Sequence, residues 1–347
     1  MAKFKIGNRY VGDNYPPLVI AEIGINHNGN LDLAIKLVDS AIRSGAEIIK
    51  HQTHIPEEEM SEEAKKIKPG NSKKNIYSII NKCSLSESDE KKLFDYVKKK
   101  KKIFISSPFS LKAAKRLANF GVPAFKIGSG EVNNFHFVEY ICKFKKPIIL
   151  STGMNSIASI KKTVSIIRKY GIPFALLHCT NLYPTPFKYV RLDCITELKK
   201  NFGDAVVGLS DHTTSINTCL GAVALGASIL ERHYIDDRKI RKGPDIKCSM
   251  NEKELKQLIV GANEIYLSRG GNKKAIVNEK VTIDFAFASV ASKEKIFKGQ
   301  KLTKKNIELK RPGTGDYGVN DFNKILGKVV KKDIKKNVQI NKKDLFR

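Results

Sequence analysis

Two histidines, His212 in VVGLSDH and His233 in ILERHYI, end two consecutive apolar runs. Imidazoles set side by side at the ends of neighbouring elements suit a divalent transition metal such as Mn, Fe, Co or Zn. Only two protein ligands are evident, so water or substrate has to complete the shell, an arrangement used for Lewis-acid chemistry rather than for structure. A second set is cationic and hydroxylic. Lys50 and Lys126 lie near the ends of EIIKHQT and AFKIGSG, and Ser107, Ser129, Ser151 and Ser210 occupy the tails of such runs. Two lysines and four hydroxyls around one mouth describe a site for phosphate and carboxylate. GSGE at 128–131 leads into a helix, so its backbone amides can add to that pocket. The third set is acid–base. Glu22 in AEIGINHNG is placed to move a proton or hold an attacking water, or else to form a salt bridge with Lys50 or Lys126. Asp245 in GPDIKCSM follows His233 closely enough to reach the same mouth, and Asn181 and Tyr183 in HCTNLYPTP suit a polyol or an amide. His27 and His178 are read equally as local hydrogen-bonding groups.

What positions these residues is a repeated unit. Eight short β-type runs, LVIAEIG, EIIKHQT, IFISSPF, AFKIGSG, PIILSTG, FALLHCT, VVGLSDH and ILERHYI, alternate with helical patterns between residues 18 and 235. Strand and helix alternating eight times predict a closed parallel (β/α)8 barrel, whose active site lies at the C-terminal ends of the strands. LDLAIKLVDSAIRSG and SIASIKKTVSIIRKYG have helical apolar spacing and end on Gly45 and Gly171, and SLSESDEKKLF opens with the residues that helix N-termini prefer. Residues 55–85 exceed what a plain barrel needs, and their acidic PEEEMSEEA segment and KPGN turn read as a loop able to cover the strand ends. The barrel is assigned to residues 1–271, a linker to 272–285 and a small β-rich domain to 286–347. In that last part KEKIFKGQKLTKKNIELKR and KKDIKKNVQINKKDLFR form a pseudo-repeat, each joining a short apolar strand to a Lys-Gly or Lys-Asn turn and a further strand.

Composition narrows the classes. A hydrophobic content of 41% fits a globular protein, and no apolar run approaches the ~18 residues of a membrane span. MAKFKIGNRY has charge without an apolar core behind it, so no secretory signal and no membrane partner are expected. The six cysteines are scattered without a CxxC pair, which favours reduced thiols and a cytoplasmic location. The net charge of +28 raises a nucleic-acid partner, or a non-catalytic sugar- or nucleic-acid-binding role. Lysines spread along helix faces such as KKLFDYVKKKKK, with no basic stripe interleaved with aromatics, favour a solvated surface and no nucleic acid.

The chain resembles the bacterial N-acetylneuraminate (sialic acid) synthase family. The resemblance runs over the whole length, through EIGINHNG, GAEIIKHQTH, PGN at 69–71, FISSPFS, FKIGSGE, ILSTGMN, LLHCTNLYPTP, GLSDHT, ILERHY, GPDIKCSM, DFAFAS and KRPGTGD. It implies a TIM barrel followed by an antifreeze-like SAF (β-clip) domain. It implies condensation of phosphoenolpyruvate with N-acetylmannosamine and water, giving N-acetylneuraminate and phosphate, with a divalent metal, Mn or Mg. By the resemblance, His212 and His233 hold the metal. Lys50, Ser107, Lys126, Ser129, Ser151 and Ser210 hold phosphoenolpyruvate. Glu22, Gln52, Asn71, Asn181, Tyr183 and Asp245 take the sugar and acid–base positions. Arg311 in KRPGTGD grips the sugar's N-acetyl group from the partner chain of a domain-swapped homodimer. Legionaminic and pseudaminic acid synthases, which use a diacetamido-trideoxyhexose, are the alternatives within the class, and a phosphorylated sugar, as animal relatives use, is a further one.

Overall fold

The computed structural model describes residues 2–70 and 74–346. The chain divides into two compact units at Arg269/Gly270. The first opens with an antiparallel hairpin, β1 (Lys3–Ile6) and β2 (Arg9–Gly12). Eight parallel strands follow: β3 (Leu18–Gly24), β4 (Ile48–Thr53), β5 (Ile103–Pro108), β6 (Phe125–Ile127), β7 (Ile148–Ser151), β8 (Phe174–Cys179), β9 (Val206–Asp211) and β10 (Ile229–His233). They pair in chain order and β10 closes on β3, so the barrel is complete, as the alternation of strand and helix predicts.

The helices follow the same logic of caps and faces. In α1 (Leu31–Arg43) Ala34, Leu37, Val38 and Ala41 recur at helical spacing and are buried against the strands. Asn30 caps its start by accepting from Leu33 N, and Gly45 takes the left-handed φ of 100° that ends it. Ser86 and Ser156 cap the helices Glu87–Lys99 and Ile157–Lys169 in the same way. The barrel interior is filled at its N-terminal end by Leu18, Ile20, Ile48, Ile105, Ile149, Leu177 and Ile229, and Phe4, Ile6 and Val11 of the hairpin pack against them. That hairpin closes the lower end of the barrel; exposed and buried residues alternate over the four residues of β1, and in β2 Val11 and Gly12 are the buried pair.

The stretch 55–85 is more ordered than the loop expected of it. It holds α2 (Pro56–Glu59), a 3-10 turn at Glu62–Lys65 and α3 (Ile76–Cys83). Ile79, Ile80 and Cys83 of α3 pack against Ile25, just beyond β3, so α3 lies over the strand ends. Its apolar residues fall on one helical face, which a reading dominated by the acidic segment passes over.

In the second unit the stretch expected to be a linker, 272–285, holds a 3-10 turn at Val277–Glu279 and most of a short helix, Lys280–Ala286. Among the described residues regular pairing is limited to β11 (Ser289–Ser292) against β12 (Ile307–Lys310); single bridges such as Ile296 with Ile334 hold most of the rest. The two lysine-rich phrases therefore form bridged turns rather than full strand–turn–strand ladders. Their repetition is nonetheless structural. Ile296 and Ile334 exchange both backbone hydrogen bonds, at 2.9 and 2.8 Å, and Gly299 and Asn337 take the same left-handed turn. Thr303 N donates to Asn306 Oδ1 as Asn341 N donates to Asp344 Oδ2. Among the described residues no helix is long and apolar enough to cross a membrane.

Candidate functional site

In a strand the side chains alternate, so residues two apart share a face. The inward set of β4 is Ile48, Lys50 and Gln52, and that of β10 is Ile229, Glu231 and His233: apolar first, polar or ionisable after. Repeated around the barrel, this pattern lines a cavity of about 340 Å³ at the C-terminal ends of the strands. Lys50, Gln52, Ser107, Lys126, Ser129, Ser151, Asn181, Tyr183, Ser210, His212, His233 and Asp245 all face it. Glu22 is buried beside it, contacting Lys50 Nζ and accepting from Gln52 Nε2 at 3.2 Å. The salt bridge considered for Glu22 is thus present. Asn71 falls outside the described residues, and Arg311 belongs to the second unit. His27 and His178 line no part of the cavity: His27 Nε2 lies 3.1 Å from His51 Nε2, and His178 Nε2 lies 2.6 Å from Val190 O.

Backbone geometry makes room for the charged groups. Gly24 sits at a β-bulge after Glu22 with φ of 41°, and a Cβ there would lie 2.6 Å from Glu22 Oε1. A Cβ on Gly153 would lie 1.9 Å from Asn181 Oδ1. The Gly153 amide instead donates to Ser129 Oγ at 3.0 Å, which orients a hydroxyl of the GSGE turn.

The buried charges are unevenly balanced. Burial would raise the Glu22 carboxyl, but Lys50, His233 and Lys126 outweigh it and hold the group below its ordinary range. Burial would lower the Lys50 amine, but Glu22 and Glu231 outweigh it and hold it raised. At Lys126 burial wins and the amine is lowered, Glu231 at 3.6 Å compensating only in part. Lys126 Nζ also donates to Ser151 Oγ at 2.7 Å. A cation that its surroundings disfavour is one that an arriving anion stabilises.

The imidazoles of His212 and His233 stand with ring centres 5.4 Å apart, and the Tyr183 ring packs 4.1 Å from that of His212. His212 Nδ1 lies 3.0 Å from the Thr180 carbonyl oxygen; a proton there leaves Nε2 with its lone pair. His233 Nδ1 is buried without a hydrogen-bond partner among the described residues, as is Glu231 Oε2. Asp245 Oδ2 lies 3.8 Å from His233 Nδ1. No group of three or more His, Cys, Asp or Glu side chains among the described residues is arranged to hold a metal ion. Two imidazoles with an incomplete shell and unpartnered polar atoms fit a metal that shares its coordination with water or substrate.

Residues beyond those singled out from the sequence also face the cavity. Glu231 lies two residues before His233 on the same strand and accepts from Ser210 Oγ at 3.2 Å. His54, two residues after Gln52, lines the wall with Phe109, and Cys179 ends β8. Alternation along strands already named was the signal for Glu231 and Cys179. Pro69, Ile76, Ile79 and Ile80 add an apolar side from the 55–85 stretch.

Residues 37–274 match the NeuB family and residues 287–345 match the SAF domain. An N,N'-diacetyllegionaminic acid synthase of Campylobacter jejuni is 37% identical, over 92% of this chain and 97% of that protein. A pseudaminic acid synthase of the same species is 32% identical over 91% and 93%. The crystal structure of an N-acetylneuraminic acid (sialic acid) synthetase from Leptospira borgpetersenii, in complex with citrate, superposes with a TM-score of 0.74 at 31% identity, covering 81% of this chain and 95% of that one.

Proposed function

The chain belongs to the NeuB family, and on that premise we propose that it condenses phosphoenolpyruvate with N-acetylmannosamine and water to N-acetylneuraminate and phosphate. The observation that carries the proposal is the pair of buried lysines, Lys50 and Lys126, sharing one mouth with His212 and His233. Lys50, Lys126 and the hydroxyls of Ser107, Ser129, Ser151 and Ser210 bind phosphate and carboxylate and fix the enol for attack. The methylene carbon of phosphoenolpyruvate forms the new C–C bond to the sugar's aldehyde carbon, whose oxygen takes a proton and becomes a hydroxyl. Water then adds to the neighbouring carbon that carries the phosphate, and the C–O bond to phosphate breaks there, leaving a 2-keto acid. Glu22, ionised beside Lys50, orients that water and takes its proton. Gln52, Asn71, Asn181, Tyr183 and Asp245 orient the open-chain sugar. His212 and His233 would hold a divalent metal, Mn or Mg, whose charge polarises the aldehyde carbonyl. The proposal also gives Arg311 the sugar's N-acetyl group in the mouth of a partner chain, within a domain-swapped homodimer.

A second reading replaces the sugar by a diacetamido-trideoxyhexose, supported by 37% identity to a diacetyllegionaminic acid synthase. Phosphate release from phosphoenolpyruvate, measured with each sugar and with or without Mn, tests both. N-acetylmannosamine as the better substrate is the expected result. Preference for the diacetamido sugar replaces the first reading with the second, and no sugar-dependent release removes both.

A further inference from the structure

We propose that His54 and Glu59 are a positioning dyad that fixes the Gln52 amide, held against Glu22, for use of the sugar. The inference rests on the function proposed above and adds two residues to it. Gln52 presents one donor end and one acceptor end. Its Nε2 donates to Glu22 Oε1 at 3.2 Å, and its Oε1 lies 3.0 Å from His54 Nε2. The other imidazole nitrogen, Nδ1, lies 3.1 and 3.0 Å from the two carboxylate oxygens of Glu59. An amide oxygen and a carboxylate only accept, so the ring donates at both nitrogens. A chain of fixed polarity results: Glu59 accepts from His54, His54 donates to Gln52, and Gln52 donates to Glu22.

The ring has little freedom to abandon this role. His54 is 6% exposed and stacks on Phe109 with ring centres 4.3 Å apart. Without a donor at His54 Nε2 the amide can turn over, which sets its oxygen against the Glu22 carboxylate, two acceptors facing each other. Glu59 ends α2, the first helix of the stretch that covers the mouth, so the dyad also ties the root of that cover to the end of β4. Sequence spacing does not single the pair out: His54 ends GAEIIKHQTH but lies beyond the last residue of the strand, and Glu59 lies in an acidic run.

The test uses the full-length chain and three variants. His54→Phe keeps a ring on Phe109 but no donor. His54→Gln returns an amide donor near the place of imidazole Nε2, and Glu59→Gln removes the charge. Expected for His54→Phe is a fall of about tenfold or more in kcat/KM for the sugar, with the KM for phosphoenolpyruvate moving less than twofold. His54→Gln is expected to recover most of that loss. In ¹⁵N-histidine spectra one ring of the parent protein is expected to donate a hydrogen bond from each nitrogen; His54→Phe deletes that signal and Glu59→Gln perturbs it. An equal rise in KM for both substrates, or no recovery in His54→Gln, overturns the positioning role. A His54 ring with a single proton overturns the dyad. If the parent protein has no sugar-dependent activity, the functional reading fails, and the nitrogen spectra still decide the dyad.

Discussion

At the lower end of the barrel the inward positions are Leu18, Ile20, Ile48, Ile105, Ile149, Leu177 and Ile229. Two to four residues further along the same strands they are Glu22, Lys50, Gln52, Ser107, Ser151, Cys179, Glu231 and His233. One end is sealed by Phe4, Ile6 and Val11 of the hairpin; the other keeps a cavity. Each fully buried large aliphatic chain at the lower end contributes about 1.5–3 kcal/mol. The buried ion pairs at the upper end contribute far less net stability, because desolvation offsets their attraction. The contrast teaches that stability and chemistry are separated along the axis of each strand, so a residue's height in the barrel forecasts what its loss does.

The contrast is broken most easily at the lysines. Lys126→Met is expected to lower turnover about 10²–10³-fold, with thermal stability unchanged or raised, because burial already disfavours its charge. Lys50→Met is expected to lose activity and stability together, because Glu22 is left buried without its partner. Phosphate release and thermal melts on both variants measure this; a Lys126→Met protein that melts like a core mutant breaks the comparison. His212→Ala and His233→Ala are each expected to weaken Mn binding at least about a hundredfold without changing the circular dichroism spectrum. Calorimetric titration that finds the parent affinity in both removes the metal assignment. At the other end, Ile149→Ala is expected to cost about 2–5 kcal/mol of stability while kcat and both KM values stay within twofold. A larger kinetic effect would mean that the lower end transmits strain upward.

Whether one chain completes its own mouth is a finer question. Dissociated and reassociated mixtures of Arg311→Ala and Glu22→Gln chains are expected to recover about a quarter of parent activity, since half the dimers are mixed and each has one intact site. No recovery despite proven exchange assigns the arginine to its own barrel or to neither. The smallest effect concerns pH. The Lys126 amine is lowered, so its cation disappears at a lower pH than an ordinary lysine's. The KM for phosphoenolpyruvate is therefore expected to rise with pH before that range is reached, and Lys126→Arg to delay the rise. A flat profile to the ordinary lysine range contradicts this.

Much of the mouth was legible because strand alternation makes a polar inward residue near a strand's end conspicuous: Glu22, Lys50 and His233 each stand out against an apolar run. Glu231 was passed over because an acid inside a run reads as its polar face, although it points inward with His233. His54 lay beyond any periodic segment. The lower hairpin was hidden because KFKI and RYVG mix lysine and arginine with their three core residues, and only the three-dimensional barrel gives Phe4, Ile6 and Val11 something to cover. Asn337, taking the turn that Gly299 takes in the other half of the repeat, shows why the second unit was recognisable as a duplication while its ladders were overestimated.

The pairing of β10 with β3 sets Ile229 beside Leu18, at opposite ends of the barrel's chain length. During synthesis the first strand has one neighbour and one bare edge until Ile229–His233 leaves the ribosome, which at roughly 5–20 residues per second is a delay of about ten to forty seconds. The hairpin, made earlier still and built from local contacts, is available throughout that wait to cover apolar surface that would otherwise seek another chain.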